Sequence, residues 1–270
     1  MLLRSVTKHV KDQNWFAVAL DFFIVVAGIL IAFQITNWNE GRVLKKRTNA
    51  LIERLEADFG RDVLSAISIH NYHKQVYADA LLVLNDITGR EPMSDEAFLI
   101  SAYRATQFNR FTRTTAIYEE LVSTGGLELV ANTKMGATAS LFYGTTIMSD
   151  YERHGESSEY RNLFRSVMPI NIQMVVASVC GDRALTIDQT MNEENLIGYE
   201  CALDLTPEQI EEAAQILRQH PSAATALRHR VATLKTQNSD FGSVVQAIRP
   251  FLATRELLEK RSQMYIWNEE

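Results

Sequence analysis

The most apolar stretch of the chain lies near the N-terminus, between Trp15 and Trp38. Phe, Ala, Val, Leu and Ile fill most of it, and Asp21 is its only charged residue. A helix rising about 1.5 Å per residue would separate the two indole rings by roughly 34 Å. That is slightly more than the hydrocarbon core of a bilayer, about 30 Å, so each ring would fall at a headgroup boundary. The pattern predicts one transmembrane helix over 15–38, with the lipid bilayer as its partner.

Two other interpretations of this stretch are weaker. A buried core helix seldom runs beyond about 14 residues without a charged side chain on one face. A cleavable signal peptide has an apolar core of roughly 7 to 15 residues, followed by small residues at a cleavage site. Here the apolar run is longer and continues into Asn37-Trp38-Asn39-Glu40. We therefore expect an uncleaved signal-anchor that crosses the membrane once.

The ends of the predicted anchor carry candidate membrane-interface residues: Trp15, Gln34, Asn37, Trp38 and Asn39. Gln34, Asn37 and Asn39 bear side-chain amides and cluster where the helix would leave the hydrocarbon core. We hypothesise that these amides hydrogen-bond between neighbouring protomers and fix the angle at which the body stands on the membrane.

A second set of anchor residues suggests self-association. Ala17, Asp21, Gly28 and Ala32 lie near one helical stripe, and Gly28 and Ala32 form a small-xxx-small pair that allows a second helix to approach closely. An ionisable residue at membrane depth is itself a functional hypothesis, and Asp21 would hydrogen-bond across such an interface together with Gln34. The alternative is a lone anchor whose polar residues lie close to the interface.

Residues 1–14 precede the anchor and show apolar positions at helical spacing, with Lys8 and Lys11 on other faces. This pattern predicts a short amphipathic helix on the inner leaflet or, equally, the first turns of the anchor itself.

Residues 39–270 read as a helical extramembrane domain. Apolar positions recur at steps of three and four from Glu40 to about Thr88, which predicts one long helix. Ser94 is placed as the N-cap of the next helix, and Thr206-Pro207-Glu208-Gln209 is a capping box with proline at the first helical position. Sustained β-alternation is missing outside a loop at 180–201. The fold class is therefore predicted to be all-α: the transmembrane helix, a long helix, then an antiparallel bundle.

The candidate chemistry in this domain is sparse. His70 and His73 are spaced to share a helix face, but no third ligand has a compelling position, so we expect ordinary histidines on a polar face. Glu119 and Glu120 are adjacent, point about 100° apart and lack a nucleophile–base pair, so we expect solvated charges. The sequence thus predicts a non-enzyme with no catalytic residues, no metal site and no cofactor.

Charge and cysteines bear on partners and compartment. The net charge of −6, with one dense basic cluster at Lys45-Lys46-Arg47, argues against a nucleic-acid partner. Basic residues flank both ends of the anchor, so charge alone does not decide orientation. Cys180 and Cys201 bracket one polar loop, which favours a disulfide and hence a periplasmic body with a cytoplasmic N-terminus. The alternative is two separate buried thiols in a cytosolic domain.

Two blocks of the chain resemble a family of uncharacterised bacterial membrane proteins. Residues 28–40, GILIAFQITNWNE, resemble an anchor ending in G-I-x-I-x-x-Q-x-x-N-W-N-E. Residues 118–127, YEELVSTGGL, are similar to the family's second block, Y-x-E-L-x-S-T-G-x-L. The resemblance implies a single-pass protein of the bacterial inner membrane with a helical extramembrane domain, and it implies no activity.

Three classes of function fit these observations. We favour a membrane-anchored, non-enzymatic scaffold or interaction protein, either a homo-oligomer or an accessory subunit of a larger membrane complex. The alternative is a single-pass sensor whose helical periplasmic domain binds a small ligand and signals through a partner. An enzyme is disfavoured because no catalytic, phosphate-loop or metal pattern has specific spacing.

Overall fold

α1, Trp15–Ile87, joins the predicted anchor and the predicted long helix into one element. The computed structural model describes residues 15–110, 113–186, 188–189, 192 and 194–252, without the side chains of residues 15–19 and 21. Two helices were expected to meet at Trp38–Asn39, but the helix passes through that junction. No proline interrupts the sequence there, so nothing removes a backbone donor from the helical ladder. The amphipathic segment predicted over 1–14 lies outside the described residues.

The elements after α1 are helical as well. Throughout the described ranges no strand occurs, so the predicted all-α class is confirmed. In chain order the helices are α2 Asp95–Arg104, α3 Ala116–Ser123, α4 Leu127–Val130, α5 Lys134–Gly144, α6 Ile147–Glu156, α7 Glu159–Val167, α8 Ile170–Cys180, α9 Pro207–Arg218 and α10 Ala223–Ile248, which a 3₁₀ turn follows at Arg249–Phe251.

Local sequence signals set the starts of several helices. The hydroxyl of Ser94 accepts a hydrogen bond from the Ala97 amide, and the hydroxyl of Thr206 accepts one from the Gln209 amide. The Gln209 side chain bonds back to the Thr206 amide and completes the capping box. Both caps were predicted from sequence and both are confirmed. Each one satisfies a backbone donor that the first turn leaves open and stabilises its helix by about 1 kcal/mol.

A left-handed glycine ends α1. Gly89 has φ +70°, and the Arg90 amide donates to the Asn85 carbonyl at 2.8 Å. A non-glycine residue would be strained in this conformation. Gly89 therefore ends the helix and reverses the chain direction without backbone strain.

The chain divides into two units, Met1–Leu51 and Ile52–Glu270. The second unit contains the hydrophobic core. It is built on the C-terminal part of α1, and the helices that bury apolar side chains against it include α2, α7, α8, α9 and α10. Its largest fully buried side chains include Tyr72, Tyr160, Phe98 and Phe164. A separate aromatic cluster surrounds the buried Phe59, whose ring lies 5.2 Å from Phe142 and 5.6 Å from Phe251 between centroids.

Candidate functional site

The apolar part of the first unit exposes its side chains. Between Leu20 and Trp38, nearly every described side chain is exposed, including Phe33 at 65% and Trp38 at 67%. Among the described helices, α1 is the one that by itself is long and apolar enough to cross a membrane. Soluble monomeric proteins rarely expose a contiguous apolar surface of this extent, and such surfaces mark sites of contact with proteins or membranes.

The polar residues at the C-terminal end of the predicted anchor make local contacts. The Thr36 hydroxyl donates to the Ala32 carbonyl at 3.0 Å, which satisfies a hydroxyl inside an apolar helix. The Arg42 guanidinium lies 5.3 Å from the centre of the Trp38 ring and donates to the Asn39 side chain at 3.5 Å. Gln34 and Asn37 are exposed on the helix surface. Their assignment as interface residues, together with Trp15, stays a prediction.

The proposed association stripe is only partly described. Gly28 and Ala32 are exposed, and a Cβ placed on Gly28 would meet nothing within 4 Å. Ala17 and Asp21 lie in the same helix, but their side chains lie outside the described part of the structure. A second helix therefore has open space at Gly28, and self-association stays a prediction.

The two cysteines lie at disulfide distance, as their spacing predicted. Cys180 ends α8, Cys201 follows the loop, and their Cα atoms are 5.5 Å apart with the sulfurs bonded. Cα separations of about 5.5 Å are typical of disulfides. The pair closes a loop whose described residues contain no extended helix.

An arginine that sequence analysis did not identify holds this loop against α2. Arg104 is buried and donates to the carbonyls of Cys180 at 3.2 Å and Tyr199 at 2.7 Å. It also lies 3.3 Å from the Cys201 sulfur. A guanidinium carries five donors in a fixed fork, so one side chain can satisfy several acceptors on both sides of the disulfide. No spacing in the sequence pairs Arg104 with the loop.

A buried carboxylate fastens the segment before α3 to α1. Asp62 is 2% exposed, and its oxygens accept hydrogen bonds from the Thr114 amide at 2.9 and 3.0 Å and from the Tyr143 hydroxyl at 2.9 Å. Burial raises the pKa of Asp62, and the bonds from Tyr143 and Thr114 oppose that shift. Because the Thr114 amide and the Tyr143 hydroxyl engage both of its oxygens, this carboxylate forms a structural contact rather than an open acid/base site.

The 118–127 block also has structural contacts. Tyr118 stacks on Tyr143 with ring centres 4.7 Å apart, and Glu120 forms a two-point ion pair with Arg54 of α1 at 2.7 and 3.1 Å. Gly125 has φ +70° and ends α3. Glu120 is exposed, as the sequence predicted, and its partner reaches it from another helix.

The histidine prediction was wrong for His73. It is 1% exposed and stacks on Tyr151 with ring centres 4.2 Å apart, so it belongs to the core rather than to a polar face. Among the described residues, no group meets ordinary hydrogen-bond geometry with either ring nitrogen. Burial, followed by the nearby Arg230 charge, lowers the pKa of His73 to about 3, so the ring is neutral at pH 7. His70 is half-buried, and burial lowers its pKa too.

The reason for this error is that α10 covers the face that carries both histidines. The ring of His70 lies 5.7 Å from that of Phe241, and the Asn238 amide donates to the His73 carbonyl at 3.2 Å. Helical spacing shows that two residues share a face, and it does not show what packs on that face.

A groove with a volume of about 560 Å³ lies between α6 and α10 in the second unit. Ile147 and Ala232 line it, and so do the carboxylates of Asp150 and Asp240. Pockets that hold small molecules are typically about 300 to 1,000 Å³ and combine apolar walls with a few polar groups. Sequence analysis missed this groove because its two walls are about 80 residues apart in the chain.

Gln237 lies in the floor of the groove and is 8% exposed. Its side-chain nitrogen lies 2.9 Å from His154 Nδ1 and donates to the Asp150 carbonyl at 3.3 Å. Because an amide nitrogen can only donate, Nδ1 of His154 is the acceptor in this pair. The Gln237 oxygen Oε1 is buried and has no partner in the described part of the chain.

The arrangement lacks the convergence that a metal needs. Among the described residues, no group of three or more His, Cys, Asp or Glu side chains is placed to hold a metal ion.

No family model, curated protein or solved structure matches this chain. The structure itself therefore defines the class of protein. It is an all-α protein with one candidate transmembrane helix near its N-terminus and a disulfide-closed loop.

Proposed function

We propose that this chain is a membrane-anchored, non-enzymatic interaction protein of the bacterial inner membrane. In this proposal α1 crosses the membrane once, and the second unit is the part that other proteins contact. Its partners are further copies of the chain or subunits of a larger membrane complex.

The exposed apolar surface of 20–38 is the observation that carries this proposal. Exposed aromatic and branched side chains surround the helix on all sides rather than forming one stripe. A soluble amphipathic helix would instead show a polar face. The 28–40 motif places three amides beside this surface, where they are available to a neighbouring helix.

The disulfide supports a periplasmic body. Structural disulfides persist in oxidising compartments and are rare in the cytosol. With the second unit in the periplasm, the N-terminus lies in the cytoplasm. Labelling of Cys180 and Cys201 in intact cells tests this: the periplasmic orientation predicts that thiol reagents react only after a reductant is added.

The test of association is an anchor variant. Replacing Gln34 and Asn37 by leucine is expected to weaken self-association about tenfold, since interhelical side-chain hydrogen bonds contribute roughly 0.6 kcal/mol each. The measurement is oligomer size of the purified full chain in mild detergent across a dilution series. The control carries Phe33→Leu and Ile35→Leu, which change the same number of neighbouring residues.

Unchanged size of the Gln34/Asn37 variant would refute a role for these amides in self-association. Mass spectrometry of chains that copurify with the native protein tests the wider proposal. Recovery of neither copies of this chain nor other membrane subunits would contradict it.

The groove favours a second candidate function, a sensor whose helical domain binds a small ligand and signals through a partner. Its volume falls within the range of small-molecule sites, and its walls combine apolar and polar residues, which supports this candidate. Ala232 is exposed in the wall, so Ala232→Trp fills the groove without disturbing the core. Small molecules released from the purified chain are measured by mass spectrometry. A sensor is expected to release a compound that this variant does not carry, and identical profiles would refute ligand binding in the groove.

A further inference from the structure

Exposed positive charge follows the predicted anchor in the first unit. Between Trp38 and Leu51 the chain contains four basic residues and one acidic residue, although its net charge is −6. The four basic side chains are all exposed: Arg42, Lys45, Lys46 and Arg47. Among the described residues, none of the four has a carboxylate within ion-pair distance. This part of α1 therefore presents uncompensated positive charge to its surroundings.

Three of these cations share one face of α1 with Trp38. They are Arg42, Lys45 and Lys46, and together they are called the basic face. At about 100° per residue, the three cations and Trp38 fall within an arc of roughly 100°. The single acidic residue of this segment, Glu40, lies on the opposite side of the helix. The basic face therefore carries charge of one sign beside an aromatic ring.

Arg42 is held at the Trp38 end of the basic face. Its guanidinium lies 5.3 Å from the centre of the Trp38 ring, and one of its nitrogens donates to the Asn39 side chain at 3.5 Å. A guanidinium has five N–H donors, so further donors stay available to an anion. Its planar fork can bind a phosphate group through two parallel N–H bonds.

The basic face lies at the level of the lipid headgroups when α1 crosses the membrane as proposed. At about 1.5 Å per residue, Arg42 is roughly 6 Å beyond Trp38, and Lys45 and Lys46 are roughly 10 to 12 Å beyond it. The headgroup region extends about 5 to 8 Å beyond the hydrocarbon core on each side. Helical side chains lean toward the N-terminus of their helix, which is the membrane end of this segment, and long lysine stems extend the ammonium groups further. All three cations therefore reach the lipid phosphates.

We propose that the basic face binds the phosphodiester groups of anionic phospholipids. Each cation near an anionic bilayer surface contributes to such binding, and an anionic lipid lacks the cationic group with which a zwitterionic headgroup opposes it. The same charges oppose association of parallel copies of the chain, since identical cations then lie at equal height. Anionic headgroups between the copies reduce that repulsion. The proposal rests on the proposed function, because it needs α1 to cross the membrane, and it specifies the class of lipid.

Bilayer nanodiscs of defined composition test the lipid class. The full-length chain is reconstituted into discs of mixed phosphatidylcholine and phosphatidylglycerol, and the lipids that stay bound after release from the disc are counted by native mass spectrometry. The wild type is expected to retain phosphatidylglycerol in at least about a fivefold excess over its share of the disc, the effect of one cation near an anionic surface. The variant with Arg42→Gln, Lys45→Gln and Lys46→Gln is expected to retain the two lipids in the proportion of the disc.

A matched control removes the same amount of charge elsewhere. Lys74→Gln, Arg228→Gln and Lys235→Gln together replace three exposed cations of the second unit. This variant should keep the lipid preference of the wild type. All six positions are exposed, so both variants are expected to fold, and circular dichroism checks their helix content.

Three results would overturn the proposal. The wild type could show no enrichment of phosphatidylglycerol, or the basic-face variant could keep the full enrichment, which would place the lipid elsewhere. The control variant could lose as much enrichment as the basic-face variant, which would make net charge responsible. If the basic-face variant lost a copurifying protein with no change in bound lipid, the face would bind protein and the proposal would again be wrong. A chain that fails to enter the discs would instead contradict the transmembrane helix and hence the proposed function.

Discussion

Breaking the bond between Cys180 and Cys201 is expected to destabilise the second unit substantially. The bond closes a loop over a sequence separation of 21 residues. Reduction therefore removes a constraint on the unfolded chain, and the segment between α8 and α9 can then adopt more conformations. Cys180 is fully buried, and Arg104 contacts both ends of the loop, so the folded state keeps part of this geometry without the bond.

The magnitude follows from the length of the loop. A cross-link over about 21 residues lowers the entropy of the unfolded chain by an amount corresponding to about 3 kcal/mol at 25 °C. For a domain of about 200 residues, each kcal/mol shifts Tm by roughly 2 to 4 °C. The double variant Cys180→Ala, Cys201→Ala is expected to melt roughly 6 to 12 °C lower than the oxidised wild type.

The assay is thermal and urea unfolding of the full-length chain in detergent, followed by circular dichroism, with and without a dithiol reductant. The reductant should lower the stability of the wild type and leave the double variant unchanged. Either single variant should lose nearly as much as the double variant, because one missing sulfur already removes the bond. A loss below about 1 kcal/mol in the reduced wild type would refute the reasoning, since the loop would then be held by Arg104 and packing.

Two further predictions concern the core of the second unit. Phe59→Ala removes a fully buried ring that contacts Phe142, Tyr143 and Phe251. We expect it to lower the free energy of unfolding in urea by about 3 to 5 kcal/mol, and the control Leu82→Ala on the same helix to lower it by about 0.5 kcal/mol or less. Equal losses in the two variants would contradict the packing of Phe59. His73 has a folded pKa of about 3 and an ordinary unfolded value of 6.5, so the unfolded chain binds the extra proton between these values. Above pH 6.5 this group does not change the free energy of unfolding. As the pH decreases from 6.5 toward 3, protonation of His73 in the unfolded chain lowers the free energy of unfolding by about 1.4 kcal/mol per pH unit. The measurement is the difference in unfolding free energy between wild type and His73→Leu from pH 7 to pH 4, and a difference independent of pH would show that His73 is not buried as a neutral ring.

Much of the fold follows from signals only a few residues long. Ser94 and Thr206 cap their helices as predicted because an N-cap needs only a hydroxyl three residues before a free amide. The apolar run between the tryptophans is equally local, since its length alone matches a bilayer. The cysteine pair was predicted from the separation of its members along one loop.

The candidate site depended on contacts between distant parts of the chain. His73 was predicted to lie on a polar face because the sequence shows the periodicity of its own helix. The sequence does not show that α10 packs against that face. Arg104 and Asp62 have no sequence neighbours that reveal their roles, since their partners lie about 50 to 100 residues away. The groove is lined by Asp150 from α6 and Asp240 from α10, which lie far apart in the sequence.

The sequence by itself determined that the chain is helical, where several helices begin, and that residues 15–38 are apolar enough for lipid. These properties depend on hydrogen bonds and side-chain periodicity within one or two helical turns. Only the tertiary structure decided that His73 is buried and neutral, that Arg104 holds the cysteine loop, and that two aspartates line one groove. Burial and charge proximity depend on which helix faces pack together, and no residue carries that information alone.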